Sequence, residues 1–319
     1  MTFRSCPACD GSRIQPLETV ALDSQHAHYS GDAAVQRRLT ELAAVPADTC
    51  RMLRCNGCGL EFADPLKGPG SGWYELVYSI LNLYPGSRWE FDRTLASLRS
   101  GDVIGEIGCG SGEFLRKCAE RGVKAFGVDF SREAVASCIA TGCDAQVFDV
   151  SRATSETISH GDRDLIVAFQ ILEHLDDPGL LFDLARGWGK PGGRLVVAVP
   201  NDMRPSRHFG EHDYLDQPPH HMSRWTAEAF RAIGIRHGWK LQSVTREPLG
   251  IAARLWWIST RMGIYRAFQK RGVMKSRFVE FAARLIMLPL AALKACGMKS
   301  RLTGQSMLAE YVRIEGATP

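Results

Sequence analysis

VIGEIGCGSGEFL, residues 103–115, is the stretch whose reading decides the fold. VIGEI (103–107) has the apolar character of a buried strand, and EFLRKCAERG (113–122) reads as a helix. Gly108, Gly110 and Gly112 stand directly between them. Glycines at a strand-to-helix turn permit positive φ and let backbone N–H groups approach a ligand closely. The spacing is G-x-G-x-G with Glu113 next, a poor fit to the dinucleotide pattern. The following strand pattern, KAFGVDF (124–130), carries Asp129 near its end. A carboxylate at that place can accept both hydroxyls of a ribose.

Further along, apolar runs and helix patterns keep alternating. AQVFDV (145–150), DLIVAFQ (164–170), GRLVVAVPN (193–201), KLQSVTREP (240–248) and QSMLAEYVRI (305–314) read as strands. REAVASCIATG (132–142), a segment running to Arg186 and TAEAFRAIGIRHG (226–238) read as helices. Residues 73–99 are helical with a break near Pro85-Gly86. The runs lack strict alternation, as in strands covered on both faces. The expected fold is therefore α/β, a doubly wound, seven-stranded, mostly parallel sheet. A helical insertion, 250–301, is expected before the last strand.

Composition narrows the class. With 319 residues, 45% hydrophobic and 23% charged, the chain can bury a full core plus a small module. The opening MTFRSCPACD has no apolar centre of the kind a secretory leader needs. No run reaches 18 apolar residues, so no membrane span is expected. Ten cysteines without a leader suit reduced thiols, some on metal, in a cytoplasmic protein.

Charge is uneven. From Gly250 to Arg301, eleven Lys and Arg face the single acid Glu280, a net +10 in a chain whose total is +4, so the remainder is −6. Trp256-Trp257 lie in the same stretch. Tryptophans beside basic residues on amphipathic helices suit a membrane interface with anionic lipid, or an anionic or lipid-linked substrate. The alternative is a helical lid or dimer surface with solvated charges.

CPAC (6–9) and CNGCGLEFADP (55–65) supply two CxxC knuckles. Cys6, Cys9, Cys55 and Cys58 make a four-thiolate set of the kind that holds tetrahedral zinc structurally. Free buried thiols or a redox CxxC are the other readings, and His26 or His28 is a substitute ligand. The expected division is a zinc-ribbon-like module over 1–70 and the α/β domain over 71–319.

On these motifs the chain resembles class I S-adenosylmethionine-dependent methyltransferases over about residues 73–315. EIGCGSG (106–112) is similar to the family's first motif. QILEHLDDP (170–178) is similar to the end of strand four in a small-molecule subgroup that includes ubiquinone-type and sugar methyltransferases. The resemblance implies that Glu106 orders the cofactor's methionine amino group and that the turn of Gly108, Cys109, Gly110 and Gly112 holds its methionine part. It implies that Asp129 holds the ribose, that Phe130 packs on adenine with Asp149 and Val150 beside it, and that Gln170 faces the cofactor. It also implies an antiparallel last strand. CNGCGLEFADP is similar to an N-terminal zinc module of some sugar and natural-product methyltransferases.

Four of nine histidines fall between His208 and His221, around QPPHHMSRW (217–225). This stretch leaves the C-terminal end of the fifth strand, on the same sheet edge as the glycine turn. Prolines limit its backbone freedom, and imidazole titrates near neutral pH. His220 or His221 is the expected base, with Tyr214 and His212 as polar substrate contacts. Satisfied loop histidines and a second metal site are the alternatives. His174, beside Glu173, either moves a proton or packs the following helix. Aromatics of the helix near 73–92 line the substrate pocket or fill core.

These readings converge on an enzyme that moves a methyl group from S-adenosylmethionine to an oxygen or carbon of a small molecule, such as a sugar, glycan or natural-product intermediate. An RNA methyltransferase and a non-catalytic cofactor-binding scaffold are the rival readings; DNA is not an expected partner.

Overall fold

The N-terminal cysteines are brought together by strand pairing. Strands β1 (Ile14–Ala21) and β2 (Thr49–Cys55) run antiparallel, with Ile14 opposite Cys55. That register places the knuckle preceding β1 beside the knuckle following β2. Helices α1 (Leu22–Tyr29) and α2 (Ala33–Leu42) lie between the two strands in the chain. Strand β3 (Glu61–Asp64) pairs with β2. The structure is a computed structural model that describes residues 5–44, 48–81, 87–153, 161–208, 210, 213–260 and 302–315.

Helices α3 (Ser71–Leu81) and α4 (Trp89–Leu95) occupy the stretch read as a broken helix. The alternating part follows: β4 (Val103–Ile107), α5 (Glu113–Ala119), β5 (Lys124–Asp129), α6 (Arg132–Ala140), β6 (Asp144–Val147), β7 (Arg163–Phe169), α7 (Gly179–Trp188) and β8 (Gly189–Pro200). A single turn, α8 (Pro205–His208), and a two-residue strand, β9 (Ser223–Arg224), precede α9 (Ala227–Arg236), β10 (Trp239–Pro248), α10 (Ile251–Thr260) and β11 (Thr303–Arg313).

Seven strands form one sheet in the order β10-β11-β8-β7-β4-β5-β6. The β4–β5, β4–β7, β5–β6 and β7–β8 pairs are parallel, and β11 runs antiparallel to β8. Strand order reverses beside β4. In such sheets ligands bind at the carboxyl ends of the strands next to this switch point. Both faces are covered. Phe91 of α4 and Phe114 of α5 pack on Phe169 with ring centroids 5.1 and 5.0 Å away. Phe182 of α7 and Phe230 of α9 belong to the core that also buries Ile166 and Val197. This two-sided burial is the physical reason for the unbroken apolar runs.

The short β9 joins the first sheet, which takes the order β1-β2-β3-β9, with Glu61 opposite Arg224 and Phe62 opposite Ser223. A strand contributed by the histidine-bearing loop thus completes the cysteine-bearing sheet. The strand is too short for any periodicity to announce it. Residues 1–202, 213–245 and 306–319 form one compact unit; residues 203–212 and 246–305 form a second. Of the stretch read as a basic insertion, Ile251–Thr260 is helical and 261–301 lies outside the described residues, as do Tyr84 and His212. Among the described residues no helix is long and apolar enough to cross a membrane.

Candidate active site

A cavity of about 660 Å³ opens at the carboxyl ends of β4, β5 and β7. The glycine turn forms one wall. Gly108 sits at φ 78°, and a Cβ there would lie 2.3 Å from Ile171 Cδ1. Gly112 sits at φ 83°, and a Cβ there would lie 2.4 Å from Cys138 Sγ. Only glycine fits both demands. Gly108 and Cys109 donate their N–H groups to Val128 O at 2.7 and 3.0 Å, which fastens the turn to β5. Asp129 completes the fastening: Oδ2 accepts from Gly110 N and Oδ1 from Ser131 N, each at 2.9 Å. Burial raises the Asp129 carboxyl above its ordinary value.

Glu106 is 2% exposed, and its Oε2 has no hydrogen-bond partner. Burial first, then the charge of Asp129, pushes its carboxyl well up, against the opposing pull of Arg88. An unpartnered buried carboxylate on a ligand-sized cavity is an acceptor for a cationic group. Phe130, Phe148, Asp149 and Val150 line the far end. Asp149 Oδ1 accepts from Ser151 N at 2.9 Å and from its hydroxyl at 2.7 Å. Gln170 directly follows β7 at φ 58° and donates to Glu90 Oε1 at 3.2 Å and Ser306 Oγ at 3.3 Å.

The other wall comes from the turn after β7 and from the proline-bearing loop. Glu173 is fully buried and neither carboxylate oxygen has a hydrogen-bond partner. His221 stands between two carboxylates, its Nε2 3.9 Å from Glu173 Oε1 and its Nδ1 3.4 Å from Asp216 Oδ1. His174 Nδ1 donates to His220 O at 2.7 Å, and burial holds its imidazole neutral. His220 Nδ1 donates to Leu215 O at 2.8 Å. Burial and neighbouring His221 push His220 down to about 3. Tyr74 of α3 also donates to His220 O, at 3.0 Å.

The buried Glu173 carries a pH signature. Burial pushes its carboxyl from 4.5 up to about 8. Between those values the folded state keeps a proton that the unfolded state has released, so stability from this group falls as pH rises from about 5 to 8. Glu173→Gln removes that titration. The expected result is a thermal midpoint that gains on the wild type at pH 8.5 relative to pH 5, read by scanning calorimetry. An equal difference at both pH values would contradict the assignment.

The cavity lining takes in Glu106, Gly108, Cys109, Gly110, Asp129, Phe130, Asp149, Val150, Gln170, His174, His220 and His221. Two expected residues are not among those that line the cavity. Gly112 is not in the lining; it packs beneath the turn on Cys138. Tyr214 is not in the lining either; its ring stacks on His28 at 5.1 Å and meets the edge of Tyr29. Tyr74 and Tyr78 line the cavity, whereas Trp73 is fully buried and donates to His26 Nε2 at 3.3 Å. Sequence reasoning missed Arg88, Phe148, Asp216 and Arg224. Arg88 lies on the cavity and opposes the raised carboxyls of both Glu106 and Glu173.

The four N-terminal thiols form a second centre. Cys6 and Cys58 Sγ are 3.6 Å apart, Cys9 and Cys55 Sγ 3.5 Å, and all four lie within 4.8 Å of one another. A tetrahedron of ~2.3 Å zinc–sulfur bonds has sulfur–sulfur edges of about 3.8 Å. The set fits such an ion. The interaction with Cys58 draws Cys6 down to about 5. His26 is turned away from this group, bonded to Thr40 Oγ1 at 3.0 Å and to Trp73.

Residues 89–244 match a family of methyltransferase domains. A ubiquinone biosynthesis O-methyltransferase of Nitrobacter winogradskyi is 31% identical over 116 residues, 35% of this chain and 44% of that protein. One of Rhodopseudomonas palustris is 29% identical over 116 residues, 35% of this chain and 46% of that protein. The matches thus span less than half the length of these relatives. A SAM-dependent methyltransferase structure from Archaeoglobus fulgidus superposes with TM-score 0.47 at 19% identity, covering 70% of this chain and 91% of that one.

Proposed function

We propose, for a chain whose residues 89–244 match a family of methyltransferase domains, that it uses S-adenosylmethionine to methylate a hydroxyl or an activated carbon of a small molecule held in the 660 Å³ cavity. The observation that carries this reading is one cavity with two differently equipped walls. Glu106 and the Asp129-fastened turn offer acceptors for a cationic nucleotide-like group; the wall bearing Glu173, His174 and His221 offers His221 as a group that takes a proton. Bound S-adenosylmethionine supplies an electrophilic methyl on a sulfonium sulfur. Glu106 would accept from its ammonium, Asp129 from its ribose, and the aromatic faces of Phe130 and Phe148 would flank its base. The imidazole wall would take the acceptor's proton as the methyl arrives, and burial would exclude competing water.

The O-methyl transfer named for the two relatives supports a hydroxyl acceptor, with a sugar, glycan or natural-product intermediate as substrate class. Acidic lining residues (Glu106, Glu113, Asp129, Asp149, Glu173, Asp176) outnumber basic ones (Lys67, Arg88, Arg152). That balance favours a cationic cofactor and disfavours the phosphates of RNA. Cys6, Cys9, Cys55 and Cys58 would hold a structural Zn2+, because four thiolates leave no open position for water.

Calorimetric titration with S-adenosylhomocysteine tests the reading. One-to-one binding in the micromolar range is the expected result. A folded, zinc-loaded protein that binds none would favour a non-catalytic scaffold.

A further inference from the structure

Two adjacent imidazoles reach the cavity, and the structure separates them. His220 lies among the rings of Trp73, Tyr74 and Tyr78, each 6.2 Å away by centroid. Its ring also stacks on His221 at 4.6 Å. Its Nδ1 proton goes to Leu215 O, and its buried Nε2 has no partner. A proton added there would meet aromatic surface and other imidazoles. His221 instead has a buried carboxylate on each side, Glu173 toward the cavity and Asp216 behind. With Asp216 beside its Nδ1, this imidazole can take a proton against a carboxylate, whereas Glu173, raised by burial to about 8, is neutral below that pH.

Asp216 is itself held. Arg224 Nε donates to Asp216 O at 2.8 Å and lies 3.2 Å from its Oδ2. The same guanidinium reaches Glu61 Oε2 at 3.1 Å and Glu18 Oε1 at 3.5 Å. Arg224 is on β9 directly opposite Glu61 of β3, while Glu18 is on β1. Among the described residues this one guanidinium reaches three carboxylates, those of Asp216, Glu61 and Glu18, and so ties the loop bearing His221 to β3 and β1. Arg geometry suits this role, since its rigid fork can engage several oxygens at once.

We infer that Asp216 is the positioning residue for His221, locked by Arg224 to Glu61 and Glu18, so that the cysteine-bearing sheet is part of the proton-accepting apparatus. The inference rests on the reading of the imidazole wall as the proton acceptor. Asp216 keeps the Nδ1–H tautomer of His221 and leaves Nε2 for the acceptor. Among the described residues, the groups facing His221 include Glu173 and His174 from the turn after β7 and Asp216 and His220 from its own loop. Arg224, Glu61 and Glu18 lie behind Asp216.

The test reads the imidazoles directly and needs no acceptor. The full chain, zinc-loaded and labelled with 15N-histidine, is followed by long-range 15N–1H correlation from pH 5 to 9, with His221 assigned through His221→Gln. His237, paired with Asp183 at 2.9 Å, is the internal control. The expected wild-type result is a titrating His221 in the Nδ1–H tautomer when neutral. Asp216→Asn should lower the proton affinity of His221 about tenfold or more, leaving His237 unchanged. Arg224→Lys keeps the charge but loses the fork, and should mix the two neutral tautomers. An unmoved His221 in Asp216→Asn, a single tautomer retained in Arg224→Lys, or a wild-type His221 that does not titrate, as when a cation occupies its Nε2, would overturn the inference. Should Asp216→Asn not fold, the tautomer result in Arg224→Lys decides. Titration of the same wild-type sample with S-adenosylhomocysteine reports on the cofactor reading separately, so failure of one is not mistaken for failure of the other.

Discussion

Asp129→Asn lowers affinity for S-adenosylhomocysteine about a hundredfold while the protein stays folded; that is the expected result of isothermal titration on the purified variant. The carboxylate has two jobs. Within the chain it accepts from Gly110 N and Ser131 N, and in the proposed reading its remaining lone pairs would accept from a ribose. Hydrogen bonds to a charged acceptor are worth about 1.5–3 kcal/mol each, and losing that charge at both ribose hydroxyls reaches about two decades in binding. Asparagine retains one acceptor oxygen for the Ser131 N–H, so most of the loss falls on binding. Asp129→Ala strips both internal bonds as well and should also lower the thermal midpoint. An asparagine variant that binds as tightly as the wild type would mean the ribose is held elsewhere.

The second large effect concerns the thiols. Removing zinc with a strong chelator, or replacing Cys58 by serine, should lower the thermal midpoint by about 10 °C or more, because metal-binding free energy at a four-thiolate site is folding free energy. Atomic emission should find one zinc per chain in the wild type and none in Cys58→Ser. The effect should travel. Cys58 O accepts from Thr226 Oγ1 at 2.7 Å, and the β3–β9 pairing follows three residues after Cys58. Loosening the knuckle should therefore release Ser223 and Arg224, and broaden the His221 resonance before the seven-stranded sheet unfolds. A chelated protein with an unchanged midpoint would remove the metal from this account.

Glu173→Gln, argued from the fully buried carboxyl, and Asp216→Asn, argued from the Arg224 network, probe the opposite wall. Their effects are smaller because neither changes the glycine turn or the thiol cluster. Together the four variants separate cofactor binding, metal-linked folding, buried-charge cost and proton positioning.

The local parts of this protein were legible because local physics dictates them. A strand, a glycine turn at positive φ and a helix must follow one another in sequence, so Gly108, Gly110 and Asp129 could be read from 103–130 alone. The same holds for β4, β7 and β8, whose apolar runs report burial on both faces, and for the CxxC knuckles, whose spacing suits a metal before any fold is known. What the tertiary structure alone decided involves pairs far apart in the chain. Asp216 and Arg224 carry no motif, and their meaning comes from Glu61 and Glu18, some 160 to 200 positions earlier. Strand β9 is two residues long, too short for a period-two pattern. Tyr214 sat near the histidines in sequence, yet the chain turns its ring onto His28. Sequence determined which segments become strands, turns and cysteine knuckles, since those follow from neighbours along the backbone. Folding decided which of two adjacent imidazoles has carboxylates on both sides, because counter-charges reach a buried group through space.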